Sequence, residues 1–300
     1  MSSSLSAFAT NLSNTSTFTS THPTTMSGEH FGTTDADVIL RSADGQEFRV
    51  HKCMLSIASP VFRDMFMFPQ PPSPAPSPIP VVDMCEAGNV LDVFLRCLYP
   101  VSKPTVEDFW LLEALATAAE KYETEILLEM VKSWLVMPEN LRRDPLHAHA
   151  IACTFTALGE QAKVAAKWVT FDMIESARLD TIARLTTMDY HRLVVYLSKR
   201  DKEASRIIDE PSWTIFYTPR CACNTEAKTE FQKEIKKALL DAFLSNPLLT
   251  AEKATVLACK QLAKVRPCDH NQNCSLVIQG ESYAKELAQK LVQMSDRLLW

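Results

Sequence analysis

Alternating apolar and polar positions near the start of the chain predict a two-stranded hairpin. Residues 38–40 form an apolar run typical of a strand that is buried on both faces. Phe48 and Val50 alternate with charged neighbours, as expected of a half-buried strand. Asp44 and Gly45 lie between the two runs, and an Asp-Gly pair supplies the positive φ angles of a tight primed turn. We therefore expect the two strands to pair antiparallel.

Two short helices and a third strand are predicted to follow the hairpin. Ser59 and Pro60 interrupt the apolar pattern, and a second helix should begin at Pro60 because serine caps helices well and proline is tolerated at the first helical position. Residues 69–80 hold seven prolines among twelve residues, which favours an extended surface insertion over a ligand for proline-recognising domains. Residues 79–84 then predict another buried strand.

Three stripes of apolar residues at helical spacing come next. They predict core helices over residues 91–98, 109–122 and 127–134. We expect Thr105 to cap the second of these helices. The order of two strands, two short helices, one strand and three helices predicts an α+β domain and argues against a doubly wound parallel sheet.

Several motifs in this region resemble those of a BTB/POZ domain when they are taken in order. They are D-x-D-V at 35–38, F-x-V-H-K at 48–52, S-x-V-F-x-D-M-F at 59–66, L-x-x-x-Y-P at 95–100 and A-x-K-Y at 119–122. The resemblance covers residues 35–137 and implies the BTB/POZ fold, a small mixed sheet with helical hairpins. It also implies self-association or docking to another protein, without catalytic residues. The proline insertion and the helical region after the domain look most like fungal BTB-domain proteins.

Two groups of residues match interaction sites of that family. Asp37 and Lys52 match positions that form a charged pocket at the dimer groove of BTB transcription factors; alternatively, Asp37 caps the strand edge and Lys52 points into solvent. Leu111, Leu112 and Glu113 lie near the position where cullin-binding BTB proteins carry an aliphatic-x-acidic motif. Core packing of the two leucines is the favoured interpretation, because helix faces often produce this triplet by chance.

The amino-terminal segment, residues 1–34, predicts a disordered tail. Its first 27 residues contain 15 serines and threonines and no acidic residue, lysine or arginine. A secretory signal needs a positive start and an apolar core, so this segment does not resemble one. BTB dimers often exchange an amino-terminal helix or strand. Residues 1–34 show neither the helical nor the strand spacing of apolar residues.

The chain beyond the domain predicts an all-α region. Residues 144–200 suit a helical bundle in which Ala162, Ala165 and Ala166 allow helices to approach closely, together with Val169. Two histidines in this part are separated by one residue, so they point in different directions on a helix. We expect these two, His147 and His149, to be surface or core histidines and not a metal pair.

A helical region at residues 211–300 contains a cluster of cysteines and one histidine. Zn²⁺ binds tetrahedral sets of thiolate and imidazole ligands, so the cluster is a candidate structural zinc site. The candidate ligands are Cys221, Cys223, Cys268, His270 and Cys274. The C-x-C spacing is tighter than usual in such sites, and unpaired thiols in a loop are the alternative.

Composition excludes several classes of function. A net charge of −5 argues against broad nucleic-acid binding, and no apolar run is long enough to span a membrane. Glycine-rich phosphate loops and the common catalytic motifs are absent from the sequence.

Two functional hypotheses follow from the resemblance. The leading one is a non-enzymatic interaction protein of the cytoplasm or nucleus that self-associates or docks to protein partners, including as a substrate adaptor of a cullin-RING ubiquitin ligase. The alternative is a transcriptional regulator. Because the chain lacks zinc fingers of the DNA-binding type and a basic region, such a regulator would reach DNA through a partner.

Overall fold

The structure, a computed structural model, covers the central part of the chain most fully. It describes residues 31, 34–68, 79–209, 225–245, 253, 256, 260, 285–287, 289–291, 293–294 and 297–298. The predictions for residues 1–30, for most of the proline insertion and for all five residues of the cysteine-histidine cluster lie outside these described residues.

A small mixed sheet forms one side of the first domain. Strand β1, Val38–Arg41, pairs antiparallel with β2, Glu47–Val50, and parallel with β3, Val81–Asp83. The strand order is β2-β1-β3, so β1 is central. This placement explains the uninterrupted apolar run in β1, because a central strand covered on both faces has no polar side to present. The predicted mixed sheet is confirmed.

The turn between β1 and β2 differs from the predicted primed turn. Gly45 has a φ of +83°, but Asp44 does not have positive φ. Gly45 N donates to Ser42 O, and Ser42 N donates to Gln46 O, which makes a three-residue loop with glycine at its last position. Asp44 instead uses its carboxylate, which accepts a hydrogen bond from Gly88 N at 2.9 Å. The turn is thereby tied to the start of the next long helix.

Helices make up most of the rest of the domain. Their bounds are α1 Lys52–Ala58, α2 Pro60–Met67, α3 Gly88–Leu98, α4 Phe109–Lys121 and α5 Glu125–Leu135. The break at Ser59 is as predicted: the Ser59 hydroxyl accepts from Phe62 N at 3.1 Å, and Pro60 occupies the first helical position. The cap of α4 is Asp108 and not Thr105, because the Asp108 carboxylate accepts from Trp110 N at 2.8 Å.

The domain continues into further helices. In the described residues they are α6 Pro138–Arg143, α7 Pro145–Thr154, α8 Gly159–Ala166, α9 Phe171–Glu175, α10 Leu179–Ala183, α11 Thr187–Asp209 and α12 Thr225–Ser245, with a short 3-10 helix at Thr156–Leu158. The bundle predicted for residues 144–200 is longer at its end, since α11 continues to Asp209.

One hydrophobic core runs through the domain and into the helices that follow it. Ile151 and Ala152 of α7 and Ala162 and Ala165 of α8 belong to the same buried cluster as the sheet. Alanines at this contact let α7 and α8 pack closely, as their spacing predicted. A second, smaller cluster joins α7 to α11 through residues such as Leu193. The helical region is therefore packed against the first domain and is not an isolated bundle.

The core also reaches upstream of the predicted domain start at Asp35. Phe31 is buried, and its ring lies 6.0 Å from that of Phe48 and 5.4 Å from that of Tyr99, centroid to centroid. Its carbonyl accepts a hydrogen bond from Arg49 N. This corrects the boundary of the tail predicted for residues 1–34, because a single phenylalanine in a polar segment has no periodicity that reveals its packing.

Candidate interaction surfaces

Asp37 and Lys52, the predicted charged pair, meet through the backbone. The Asp37 carboxylate accepts a hydrogen bond from the Lys52 backbone amide at 2.7 Å, so it caps the first turn of α1. The Lys52 ammonium lies over the Phe66 ring, 5.7 Å from its centroid. In this chain Asp37 therefore holds the sheet to α1, while Lys52 covers the end of α2.

The F-x-V-H-K and L-x-x-x-Y-P motifs converge next to that cap. Tyr99 follows α3, and its hydroxyl accepts a hydrogen bond from the His51 backbone amide at 2.8 Å. The His51 ring lies 3.4 Å from the Asp35 carboxylate, measured between Nε2 and Oδ2. The two motifs therefore serve to join the sheet, α1 and the end of α3.

The A-x-K-Y motif forms a second joint within the domain. Lys121 and Tyr122, at the end of α4, donate to the two carboxylate oxygens of Glu86 at 2.8 and 2.6 Å. Burial raises the pKa of Glu86, but the hydrogen bonds from both donors outweigh burial and leave that pKa lowered. Ser59 donates to the Tyr122 carbonyl. The network therefore connects α2, α4 and the β3–α3 loop.

The α1–α2 hairpin, residues 52–68, leaves large apolar side chains in solvent. Ile57 in α1 is 84% exposed, and Met67 and Phe68 at the end of α2 are 74% and 69% exposed. Cys53 on the first turn of α1 is also exposed. Several exposed apolar side chains on one short motif are typical of a surface that another protein covers.

The leucine-leucine-glutamate triplet on α4 faces the protein interior and the helices that follow the domain from α6 onward, which we call the extension. Leu112 is fully buried, and Leu111 is partly buried against the core. Glu113 forms an ion pair with Arg184, the residue that follows α10, and both side chains are largely buried. The Arg184 guanidinium also lies over the Trp110 ring, 4.5 Å from its centroid. The favoured interpretation, core packing of the leucines, agrees with this geometry.

His147 lies in the same contact between α4 and the extension. Its ring stacks on Phe109 at 4.9 Å between centroids and meets Trp110 edge-on at 6.0 Å. Burial is the largest effect on the pKa of His147 and lowers it. The nearby Asp144 carboxylate raises this pKa and the Arg184 guanidinium lowers it, so the net result is a lowered pKa. Neutral His147 therefore fits this aromatic setting, as expected of a core histidine.

His149 and Cys153 line a cleft of about 410 Å³ between α7, α8 and α11. His149 Nδ1 donates to the Ala162 carbonyl at 2.8 Å, so Nε2 is left to accept from the Cys153 thiol at 3.5 Å. Burial raises the pKa of Cys153 to about 12 and lowers that of His149. The pair is thus neutral, which does not suit a nucleophilic thiolate with an imidazolium partner.

The predicted zinc site belongs to the carboxyl-terminal part of the chain. Its ligands, Cys221, Cys223, Cys268, His270 and Cys274, lie outside the described residues. Within the described ranges, no group of three or more metal-binding side chains comes together. None of the described helices is long and apolar enough to cross a membrane.

Comparison with families of known proteins identifies the first domain. A BTB/POZ family model matches residues 30–136. This segment is a BTB/POZ domain. The resemblance seen in the motifs is confirmed, and the BTB/POZ match includes Phe31, in agreement with its burial. No curated protein matches the chain.

The identity of the domain establishes a general role in protein–protein interaction, since BTB/POZ domains mediate such contacts and dimerisation. BTB/POZ domains are typically interaction modules without enzymatic activity. The residues that hold the domain to the extension, above all Arg184, were not predicted. A single arginine in a polar stretch gives no sequence signal for a contact with α4.

Proposed function

We propose that the chain is a protein-interaction adaptor that self-associates through the α1–α2 hairpin of its BTB/POZ domain. The observation that supports this proposal is the exposure of Ile57, Met67 and Phe68 on one short motif. Burial of a phenylalanine or methionine side chain is worth about 1.5–3 kcal/mol, so a second copy that covers these residues gains substantial binding energy. A two-fold interface would use the same patch on both chains.

Co-purification of two differently tagged copies tests this proposal. We expect one tagged copy to recover the other, and we expect Phe68→Asp to abolish the recovery because a charge would be buried at the interface. The matched control is Leu179→Asp, since Leu179 is 86% exposed but belongs to α10. Equal recovery with Phe68→Asp and with the wild type would contradict the proposal.

A substrate adaptor of a cullin-RING ubiquitin ligase is the more specific form of this function. It is supported by the BTB/POZ resemblance, but Leu112 and Glu113 are committed to contacts inside the chain. A cullin would therefore have to contact other residues of the domain. Immunoprecipitation under native conditions should recover a cullin, and its absence would remove this form of the proposal.

A transcriptional regulator that reaches DNA through a partner is the alternative, and a cytoplasmic or nuclear location fits either function. The net charge of −5 and the lack of DNA-binding fingers support indirect contact. Purified protein should then leave random duplex DNA unshifted at low salt. A salt-dependent shift would instead show direct DNA binding.

We also propose that the cysteine-histidine cluster at Cys221, Cys223, Cys268, His270 and Cys274 binds one structural zinc ion. The support is the set of thiolate and imidazole ligands in two short groups. Metal analysis of chelator-washed protein should find about one zinc per chain. A content well below that would contradict the proposal.

A further inference from the structure

A cleft of about 300 Å³ lies between α11 and the described end of the chain. Residues of α11 at helical spacing form one wall, and residues 297 and 298 form the other. The lining residues are His191, Arg192, Val195, Tyr196, Lys199, Arg297 and Leu298. It is separate from the cleft of His149 and Cys153, with which it shares only Arg192.

The side chains that line this cleft are positively charged, although the chain as a whole is acidic. Arg192, Lys199 and Arg297 are basic side chains, His191 adds an imidazole, and no carboxylate is among the lining residues. Lys199 and Arg297 make no ion pair or hydrogen bond with any residue that the structure describes. The chain as a whole has a net charge of −5. Positive charge is therefore concentrated here against the overall balance.

Arg192 keeps most of its hydrogen-bonding capacity. Its contact with an acidic group is one long interaction, 3.4 Å from Nη1 to the Asp189 carboxylate. A guanidinium has five N–H donors in a planar fork, so the others remain available to a ligand. Arginine forks match the oxygens of phosphate groups in a bidentate manner.

The apolar part of the cleft fixes its shape. Leu298 packs against the second buried cluster, which contains Leu193, Tyr196 and Leu197 of α11. This contact holds the neighbouring Arg297 next to α11. Val195 and Leu298 supply apolar surface beside the cations. A ligand that carries one dianionic group next to a small apolar surface fits this lining.

We propose that this cleft binds a phosphorylated serine or threonine side chain of a partner protein. A phosphate monoester carries nearly two negative charges at neutral pH, and three cations that line one cleft favour it over a single carboxylate. Long polyanions such as nucleic acid are disfavoured, because the negative charge of the whole chain repels them while the cations here are local. This site is independent of self-association through the BTB/POZ domain.

Fluorescence anisotropy with the full chain tests the proposal. The probes are three labelled peptide pools with randomised flanks and a central phosphoserine, glutamate or serine. We expect the phosphoserine pool to bind at least about tenfold more tightly than the other two, since charge-assisted hydrogen bonds contribute most of the affinity. Raising the salt concentration should weaken that binding.

Substitution of the unpaired cations locates the site. The double variant Lys199→Gln/Arg297→Gln should weaken phosphopeptide binding at least about tenfold. Lys202→Gln removes one lysine charge from α11 outside the lining, as Lys199→Gln does inside it, and should change binding less than about twofold. Both variants should keep the wild-type circular dichroism and unfolding temperature, because these side chains are exposed.

Three outcomes would overturn the proposal. The first is equal binding of the phosphoserine and serine pools. The second is a loss of binding free energy with Lys202→Gln that is half that of the double variant or more, which would indicate a general charge effect, since the control removes one charge and the double variant two. The third is competition by inorganic phosphate at the same concentration as phosphopeptide, which would show an anion site without peptide recognition.

Discussion

Two faces of the BTB/POZ domain differ in what covers them. The α1–α2 hairpin leaves Ile57, Met67 and Phe68 in solvent. One side of helix α4 instead packs against the helices that follow the domain: Arg184 is paired with Glu113 and lies over the ring of Trp110, which stays half-exposed. Among the described residues, one face of the domain is thus covered by later helices of the chain, whereas the other exposes large apolar side chains that a partner could bury.

The difference shows why a motif match does not by itself identify a binding surface. Leu111, Leu112 and Glu113 have the pattern of a partner-binding triplet, yet each contacts another part of the same chain. The residues of the open face belong to no motif that was read as a site. Exposure in the folded chain distinguishes the two, since only an uncovered apolar side chain can add burial on binding.

The largest effect should come from the buried leucine of the covered face. Leu112→Ala should lower the free energy of unfolding by about 3 kcal/mol, because it opens a cavity at a fully buried position. Leu111→Ala, at a partly buried position, should lower it by about 1 kcal/mol. Urea denaturation measures both. Equal effects would mean that the triplet is not packed as described.

A smaller effect should come from the ion pair that joins α4 to the extension. Arg184→Ala should lower the free energy of unfolding by about 2 kcal/mol, because it leaves the partly buried Glu113 carboxylate without its partner. The matched control is Arg178→Ala, whose pair with Asp180 is exposed and should contribute less than about 0.5 kcal/mol. The double variant Arg184→Ala/Glu113→Ala should be less destabilised than the two single effects added together. Additive effects would contradict a direct contact.

Acid should lower the free energy of unfolding through two buried histidines of α7. The pKa of His147 and that of His149 are lowered in the folded state, so the unfolded state binds more protons once the pH falls below the ordinary histidine value of 6.5. Stability is therefore fully present above that pH and is lost below it, by at most about 1.4 kcal/mol per pH unit for each histidine. Urea denaturation at several pH values measures the slope. His147→Gln should reduce it, and an unchanged slope would show that this histidine is not held neutral.

The smallest effect on stability should come from the open face. Phe68→Ala should change the free energy of unfolding of the monomer by less than about 0.5 kcal/mol, because the side chain is mostly in solvent. Denaturation at low protein concentration measures this change. A loss comparable to that of Leu112→Ala would show that Phe68 is part of the core and would remove the contrast between the faces.

The sequence predicts periodic features of this fold well and isolated contacts poorly. Leu91, Phe94 and Leu95 are buried as their helical spacing indicated, because many residues together carry that signal. The hydrogen bond from Lys52 N to Asp37 and the ion pair of Glu113 with Arg184 each join positions far apart in the chain. A single polar residue produces no periodic pattern in the sequence, so its partner becomes visible only in the folded structure.

The state of association in solution tests the contrast between the faces most directly. Light scattering coupled to gel filtration should give twice the mass of one chain for the wild type and for Leu179→Asp. The double variant Met67→Ser/Phe68→Asp should give the mass of one chain with unchanged circular dichroism, because it places a charge on the open face. A monomeric wild type, or a double variant that remains dimeric, would contradict self-association through the α1–α2 hairpin.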